Sequence, residues 1–267
     1  MEASARKPGN VHRFQDFPDL HYLDLASGAL ALVPAMDRAT AQPVGRTILA
    51  AVEDTRRLVA TNTNLGTVLL LAPLCAVPDH EPLLEGLASV LRRLTIEDAR
   101  LAYRAIRLAD PRCLGEVEDQ DVWTEPNVTL TEAMSLAAER DTIARQYVNV
   151  FAEVRSIAYP ALRQGIRSGM ALENAIAATS IRLLAEVPDT LIERKLGHEI
   201  ATDVSRRAER VLHGASLVAF DDFLRSDPNL NPGTTADLIA AALFLALSDG
   251  TIRLPRVPGP RDETGSF

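Results

Sequence analysis

Two stretches of the chain, residues 66–76 and 236–247, are apolar on nearly every side. A helix of that kind has no face to give to water, so it must lie at the centre of a bundle with other helices packed around it. Pro73, inside the first stretch, is expected to kink or end it. The rest of the chain supplies the surrounding layer. Val44, Ile48, Val52, Thr55 and Val59 follow the i, i+3/i+4 rhythm of an amphipathic helix. So do Ile96, Ala99, Tyr103 and Ile106; then Ile143, Tyr147, Val150, Val154 and Ile157; then Ile200, Val204, Ala208, Val211 and Ala215. Period-two alternation is never sustained. The expected fold is all-α: a single-domain multi-helix bundle of nine or ten helices, two of them buried and central. Aromatic residues make up only 4% of the chain, so the core is built from Ala, Leu, Val and Ile, which suits close-packed helices better than a β-sandwich.

Polar stretches containing Pro or Gly punctuate the helices at 78–82, 111–127 and 226–233. The acidic segment 115–126, with the single tryptophan Trp123, is expected to be a surface loop. No repeat or linker divides the core, so residues 1–254 read as one domain and 255–267 as a flexible tail. A formal net charge of -8 argues against a protein that grasps nucleic-acid backbone, since such domains are usually basic. It still allows a small phosphorylated ligand held by a local basic cluster. Cys75 and Cys113 form no CxxC pair, and five scattered histidines give no zinc spacing. The N-terminus lacks the apolar region of a signal peptide. The most apolar run, 239–247, falls short of the ~20 residues that span a bilayer. A soluble, cytoplasmic protein is expected.

Four polar segments interrupt this apolar architecture. The first, Lys7-Pro8-Gly9-Asn10-Val11-His12-Arg13, sets cations and an amide around a Pro-Gly turn. It reads either as a solvated turn or as an anion site, since Lys offers a point charge and Arg a two-pronged donor. The second, Thr61 to Thr67, opens a buried helix that Asn62 or Thr63 could cap. Its first turn carries no acidic residue, and free N–H groups beside Asn64, Gly66 and Thr67 make a seat for an anion. In the third, Pro188 to Gly197, Asp189 sits at a helix start and Arg194 and Lys195 at its end, which is ordinary helix-terminal chemistry. The functional alternative makes Asp189 a magnesium ligand and the Arg-Lys pair a phosphate clamp. The fourth, Asn229 to Asp237, contains Thr234-x-x-Asp237, a capping-box pattern before an apolar run. Asn231 and the turn at Gly233 are more polar equipment than a cap requires. If these segments meet at one end of the bundle, they enclose a polar pocket between helices.

The ordered set KPGNVHRF, NTNLG, PDTLIERKLG and NLNPGTTADL, spread over residues 7 to about 247, resembles the triphosphoribosyl-dephospho-coenzyme-A synthase family. The stretches LTEAM and RDTIARQY add to the likeness. The resemblance implies an all-α fold and a glycosyl transfer. A ribose hydroxyl of 3′-dephospho-coenzyme A attacks the ribose C1′ of ATP, adenine leaves, and the triphosphate stays on the transferred ribose. The product is the prosthetic-group precursor for the acyl carrier proteins of citrate lyase and malonate decarboxylase.

Under that resemblance the catalytic candidates are Asp189, Asp237 and His12. Asp189, Asp237 and Glu132 are the candidate ligands of Mg²⁺, with Asp141 a weaker carboxylate. The candidate nucleotide and phosphate contacts are Lys7, Asn10, Arg13, Asn62, Asn64, Gly66, Thr67, Arg194, Lys195, Asn231 and Gly233. Partners are expected to be small-molecule nucleotides, with no nucleic acid and no membrane; a homodimer is allowed. The sequence also departs from the family. Asn10 and His12 stand in a first motif that is KPGLVD-like elsewhere. Asn64-Leu65-Gly66 lacks the histidine and lysine of a THKG-like second motif, and Asp189-Thr190 with Arg194-Lys195 replaces a DTN…RGG segment. The chain also opens at its first motif, where the family carries a leading helix that would lie upstream or be missing. These departures suit a divergent branch. They leave two alternatives: an enzyme of the same family acting on a one-carbon-carrier intermediate, and a catalytically silent nucleotide-binding or scaffold protein.

Overall fold

A computed structural model describes residues 1–60, 64–109 and 123–254. Asn62, Cys113, most of the expected 115–126 loop and the expected tail at 255–267 lie outside them. Trp123, at the described end of that loop, is 52% exposed. The described residues are helical, with no strand and only two isolated bridges, His12–Gln15 and Phe17–Leu20. The all-α expectation holds, but there are fourteen α-helices among these residues where nine or ten were expected.

The N-terminal half contains α1 (Tyr22–Ala31), α2 (Val33–Asp37), α3 (Val44–Leu58), α4 (Leu65–Cys75), α5 (Leu83–Arg92) and α6 (Ile96–Ala109). Then come α7 (Leu130–Ala137), α8 (Thr142–Asn149), α9 (Tyr159–Arg167) and α10 (Leu172–Glu186). The chain closes with α11 (Thr190–Leu196), α12 (His198–Leu212), α13 (Leu217–Arg225) and α14 (Gly233–Ser248). The main apolar core gathers around α4 and α14, where Val68, Leu70, Ala72, Ile239, Ala241 and Ala246 are all sealed from water. A second cluster unites Ile181 and Leu184 of α10 with Ile192, Val204, Phe220 and Leu224.

The expected stripes account for how the outer helices dock. Val44, Ile48, Val52, Thr55 and Val59 are all buried, and α3 lies along α6. The two helices meet closely at Gly45, where a Cβ would come within 2.6 Å of the Asp98 backbone. Ile96 and Ile200, which open two other stripes, stay 39% and 41% exposed because each lies in the first turn of its helix. The stripe from Ile143 to Ile157 is not one helix. Val150 and Phe151 adopt left-handed φ angles of 54° and 59°, and a π-helical turn, Val154–Ala158, leads into α9. The stripe still faces the core, since Tyr147, Phe151 and Val154 are buried. A turn this unfavourable for bulky residues needs support. Glu153 supplies it, accepting hydrogen bonds from Arg145, Gln146 and Asn149.

Pro73 ends α4 two residues later, at Cys75. Lacking an N–H, it leaves the Leu69 carbonyl one turn earlier without its helical partner. The Tyr147 hydroxyl donates to that carbonyl at 2.6 Å. Tyr147→Phe should therefore lower stability by about 1–3 kcal/mol, the cost of a buried acceptor left unpaired. An unchanged denaturation midpoint would show that the carbonyl needs no such partner.

The apolar run at 239–247 belongs to a longer helical stretch, Pro228–Ser248, which is long and apolar enough to cross a membrane. Shortness therefore does not exclude a span. Its 61% burial within the protein marks this stretch as core.

Candidate functional site

Helices α4 and α14 run side by side in the same direction. Their first turns line one cavity of about 230 Å³. Their last turns, at Leu74, Cys75, Leu245 and Ser248, line another of about 940 Å³ at the opposite end. The smaller cavity is where the four polar segments meet. Asn10 comes from the first, Asn64, Gly66 and Thr67 from the second, Leu191 and Arg194 from the third, and Asn231, Gly233, Thr234 and Asp237 from the fourth.

Two more helix starts join them. Asp141 and Ile143 at the start of α8 line the cavity, and α11 begins beside it. A buried hydrogen-bond chain ties three of these starts together. The Thr142 N–H donates to Thr190 Oγ1 at 3.2 Å, and Thr190 Oγ1 lies 3.3 Å from Thr234 Oγ1. The positive ends of α4, α8 and α14, with that of short α11, thus converge on one small space. Such ends attract negative charge.

Two of the carboxylates here cap helix starts. Asp141 accepts from the Ile143 and Ala144 N–H groups of α8. Asp189, 2% exposed, is the N-cap of α11. One oxygen accepts from the N–H groups of Leu191 (3.0 Å) and Ile192 (3.2 Å), the other from the N–H (2.7 Å) and hydroxyl (2.8 Å) of Thr235 in α14. Burial pushes its carboxyl pKa up, against the pull of those four donors. With both oxygens committed and no part in the cavity wall, Asp189 ties helices together and offers a metal nothing.

Asp237 is placed differently. The capping-box reading of Thr234 and Asp237 does not hold, because α14 starts at Gly233, with Pro232 as its N-cap and no side chain capping it. Asp237 instead turns to α4, accepting from Thr67 Oγ1 at 2.6 Å. Gly66 permits this approach, since a Cβ there would fall 2.0 Å from Asp237 Oδ2. Asn64 holds the cap position of α4, and its Nδ2 donates to Thr55 Oγ1; Asn62 and Thr63, the expected caps, lie outside the described residues. Burial pushes the Asp237 carboxyl up to about 7, and the nearby Glu2 and Asp189 charges add to the rise while Thr67 opposes it. A half-buried carboxylate in a cavity wall with that pKa can exchange a proton near neutral pH.

Several expected site residues lie elsewhere. Lys7 is 1% exposed and spends its ammonium on the Glu2 carboxylate (2.7 Å) and carbonyl. Arg13 pairs with Glu173. Lys195 is exposed and off the cavity wall. His12 is buried, off the cavity wall, and its Nδ1 accepts from the Phe14 N–H; burial lowers its pKa. Glu132 forms the capping box of α7 with Thr129, whose hydrogen bonds hold its carboxyl below the usual range. Asp189, Asp237 and Glu132 therefore do not assemble, and among the described residues no three His, Cys, Asp or Glu side chains form a metal cage. Of the expected cations, Arg194 alone lines the cavity, half exposed, with Asp141 3.8 Å away. Glu2 was missed. Its place in the cavity wall comes from its pairing with Lys7, which no local pattern reveals.

The chain is thus an all-α body with a polar cavity at the converging N-termini of its central helices. The family model described as CitG: ATP:dephospho-CoA triphosphoribosyl transferase matches residues 1–255, and the chain belongs to that family. It is 37% identical over 92 residues to the 2-(5''-triphosphoribosyl)-3'-dephosphocoenzyme-A synthase of Pectobacterium atrosepticum, covering 33% of this chain and 30% of that protein. A similarly named protein of Pectobacterium carotovorum is 35% identical over 99 residues, covering 36% and 33%. The chain thus matches about a third of the length of these curated relatives. A crystal structure from Archaeoglobus fulgidus, described as a candidate triphosphoribosyl-dephospho-coA synthase, superposes with a TM-score of 0.71 at 29% identity, over 86% of this chain and 99% of that one.

Proposed function

We propose that the cavity at the helix starts binds the reacting part of ATP, and that the chain transfers a 5-triphosphoribosyl group from ATP to a ribose hydroxyl of 3′-dephospho-coenzyme A, releasing adenine. The observation that carries this reading is the convergence of several helix N-termini on a cavity whose wall holds Asp237 and Arg194. At about 230 Å³ it is smaller than the ~300–1,000 Å³ typical of small-molecule sites, so it seats the reacting groups while the rest of both nucleotides extends outward.

In the reaction the C1′–N bond of ATP breaks, adenine leaves with the electron pair, and the acceptor oxygen bonds to C1′ as it loses its proton. Asp237 takes that proton, which passes on to the departing adenine nitrogen, so neutral adenine is released and the carboxylate is regenerated. Its negative charge also favours the electron-poor ribose of the transition state. Arg194 and the N–H end of α4 hold phosphate oxygens. Mg²⁺ enters with ATP as part of the substrate, carried by the phosphates and water, a pattern usual for this ion. Residues 1–254 act as one domain, because α10 contributes side chains to both apolar clusters.

The test is free adenine, measured chromatographically after incubation with Mg-ATP, with and without 3′-dephospho-coenzyme A. Adenine is expected only when both are present. If ATP raises the melting temperature and yet no adenine forms with this acceptor, the chain binds ATP without performing this transfer.

A further inference from the structure

Asn10, a residue of the cavity wall, carries a buried polar atom with nothing to bond. Asn10 is 5% exposed, and its Nδ2 donates to Asn231 Oδ1 at 2.7 Å and to the Pro232 carbonyl at 3.2 Å. A carbonyl oxygen only accepts, so the contact with Pro232 fixes which end of the amide carries the hydrogens. Asn10 Oδ1 is therefore an acceptor, and it is buried without a partner. Such atoms are costly, and at a cavity-lining residue a donor brought by a bound molecule would relieve the cost. Asn231 is the complement. Its Oδ1 is taken by Asn10, and among the described residues its Nδ2 is unengaged. Both residues line the cavity. Joined head to tail, the two amides present one acceptor and one donor.

Phosphate does not suit this spot, because an acceptor facing an acceptor repels. Adenine does. Each polar edge of the base sets an amino N–H beside a ring nitrogen that accepts, the pattern an asparagine amide matches. We propose that Asn10 and Asn231 together read the adenine edge of ATP: Asn10 Oδ1 accepts from the 6-amino group and Asn231 Nδ2 donates to the neighbouring ring nitrogen. This assignment rests on the reading of the cavity as an ATP site and specifies what within ATP the two amides recognise. It also separates the base end of the cavity, at Asn10 and Asn231, from the phosphate contacts at Arg194.

The experiment compares Mg-ATP with Mg-ITP, whose 6-oxo group places an acceptor where adenine has a donor, by calorimetric titration of the full chain. The parent should prefer ATP by about tenfold or more. Asn10→Ala removes the acceptor and should abolish the preference. Asn231→Asp keeps the oxygen that Asn10 needs and replaces the donor with an acceptor. Because Asn231 is half-buried, this variant decides the matter if Asn10→Ala fails to fold. Its added charge weakens both nucleotides alike, so the ratio is the readout, and the ratio should fall about tenfold. A parent that releases adenine but binds ATP and ITP equally, or a ratio unchanged in Asn231→Asp, overturns the amide assignment and leaves the transfer reaction standing. A parent that binds no ATP removes both.

Discussion

Asp237→Asn is expected to stop adenine release and, above neutral pH, to leave the protein more stable than the parent. The two effects share one cause. Burial, reinforced by Glu2 and Asp189, raises the Asp237 carboxyl from 3.8 to about 7. In the unfolded chain the group ionises near its ordinary value. The protonated form thus contributes stability that is fully present below about pH 4 and is lost as pH rises through about 7. A shift of about three units corresponds to ~4 kcal/mol as a ceiling. Because Asp237 is only half-buried, solvent in the cavity reduces this to roughly 1–2 kcal/mol. Asparagine keeps the oxygen that Thr67 donates to and never ionises. The melting temperatures of parent and variant should nearly coincide at pH 4 and diverge progressively up to about pH 7, with the variant higher at pH 8. Over the same range turnover should fall by about 10²–10⁴-fold, the usual contribution of a general base. In the parent, activity should rise with pH toward a plateau above about 7. Melting curves that stay parallel from pH 5 to 8, or a variant that still turns over, would remove Asp237 from the reaction.

Helical periodicity made the fold legible wherever one face of a helix meets the core. The stripe from Val44 to Val59 predicts α3 because burial and period coincide there. The same signal carried past Val150 and Phe151, since a π-helical turn can bring the later apolar residues back to the core and a period alone does not register the change in backbone. The site divides along a similar line. The approach of Asn10, Thr67, Arg194, Asn231 and Asp237 followed from asking where polar turns interrupt apolar helices. What each residue does there depends on partners remote in the chain. Asp237 fits a local capping rule with Thr234, yet it bonds to Thr67, 170 positions away. Lys7 reads as a phosphate ligand until Glu2 is found beside it. Asp189 is a helix start by local rules, and those rules were correct; its second oxygen, bonded across to Thr235, is the part no spacing could show.

That second oxygen gives Asp189 the largest expected effect on stability. In Asp189→Ala the Leu191, Ile192 and Thr235 N–H groups and the Thr235 hydroxyl all lose their acceptor. They sit where water has little access, as Asp189 and Thr235 are each 2% exposed. Losing the cap alone costs about 0.5–2 kcal/mol, and each buried donor left unpaired adds about 1–3 kcal/mol before relaxation. A total of roughly 3–5 kcal/mol is expected, enough to lower the melting temperature by about 10 °C in a chain of this size. Asp189→Asn should fall between parent and alanine, because one carbonyl oxygen can serve α11 or Thr235 but not both, and its NH₂ would face donors. A metal-ligand role predicts the opposite ordering: Asp189→Asn would melt like the parent without nucleotide and lose only the stabilisation by Mg-ATP. Thermal melts of the ligand-free variants separate the two. Asp189 holds the start of α14, four residues before Asp237, against α11. If that joint sets the direction of the Asp237 carboxylate, Asp189→Asn should also slow adenine release at temperatures where it remains folded, while ATP binding weakens less than turnover.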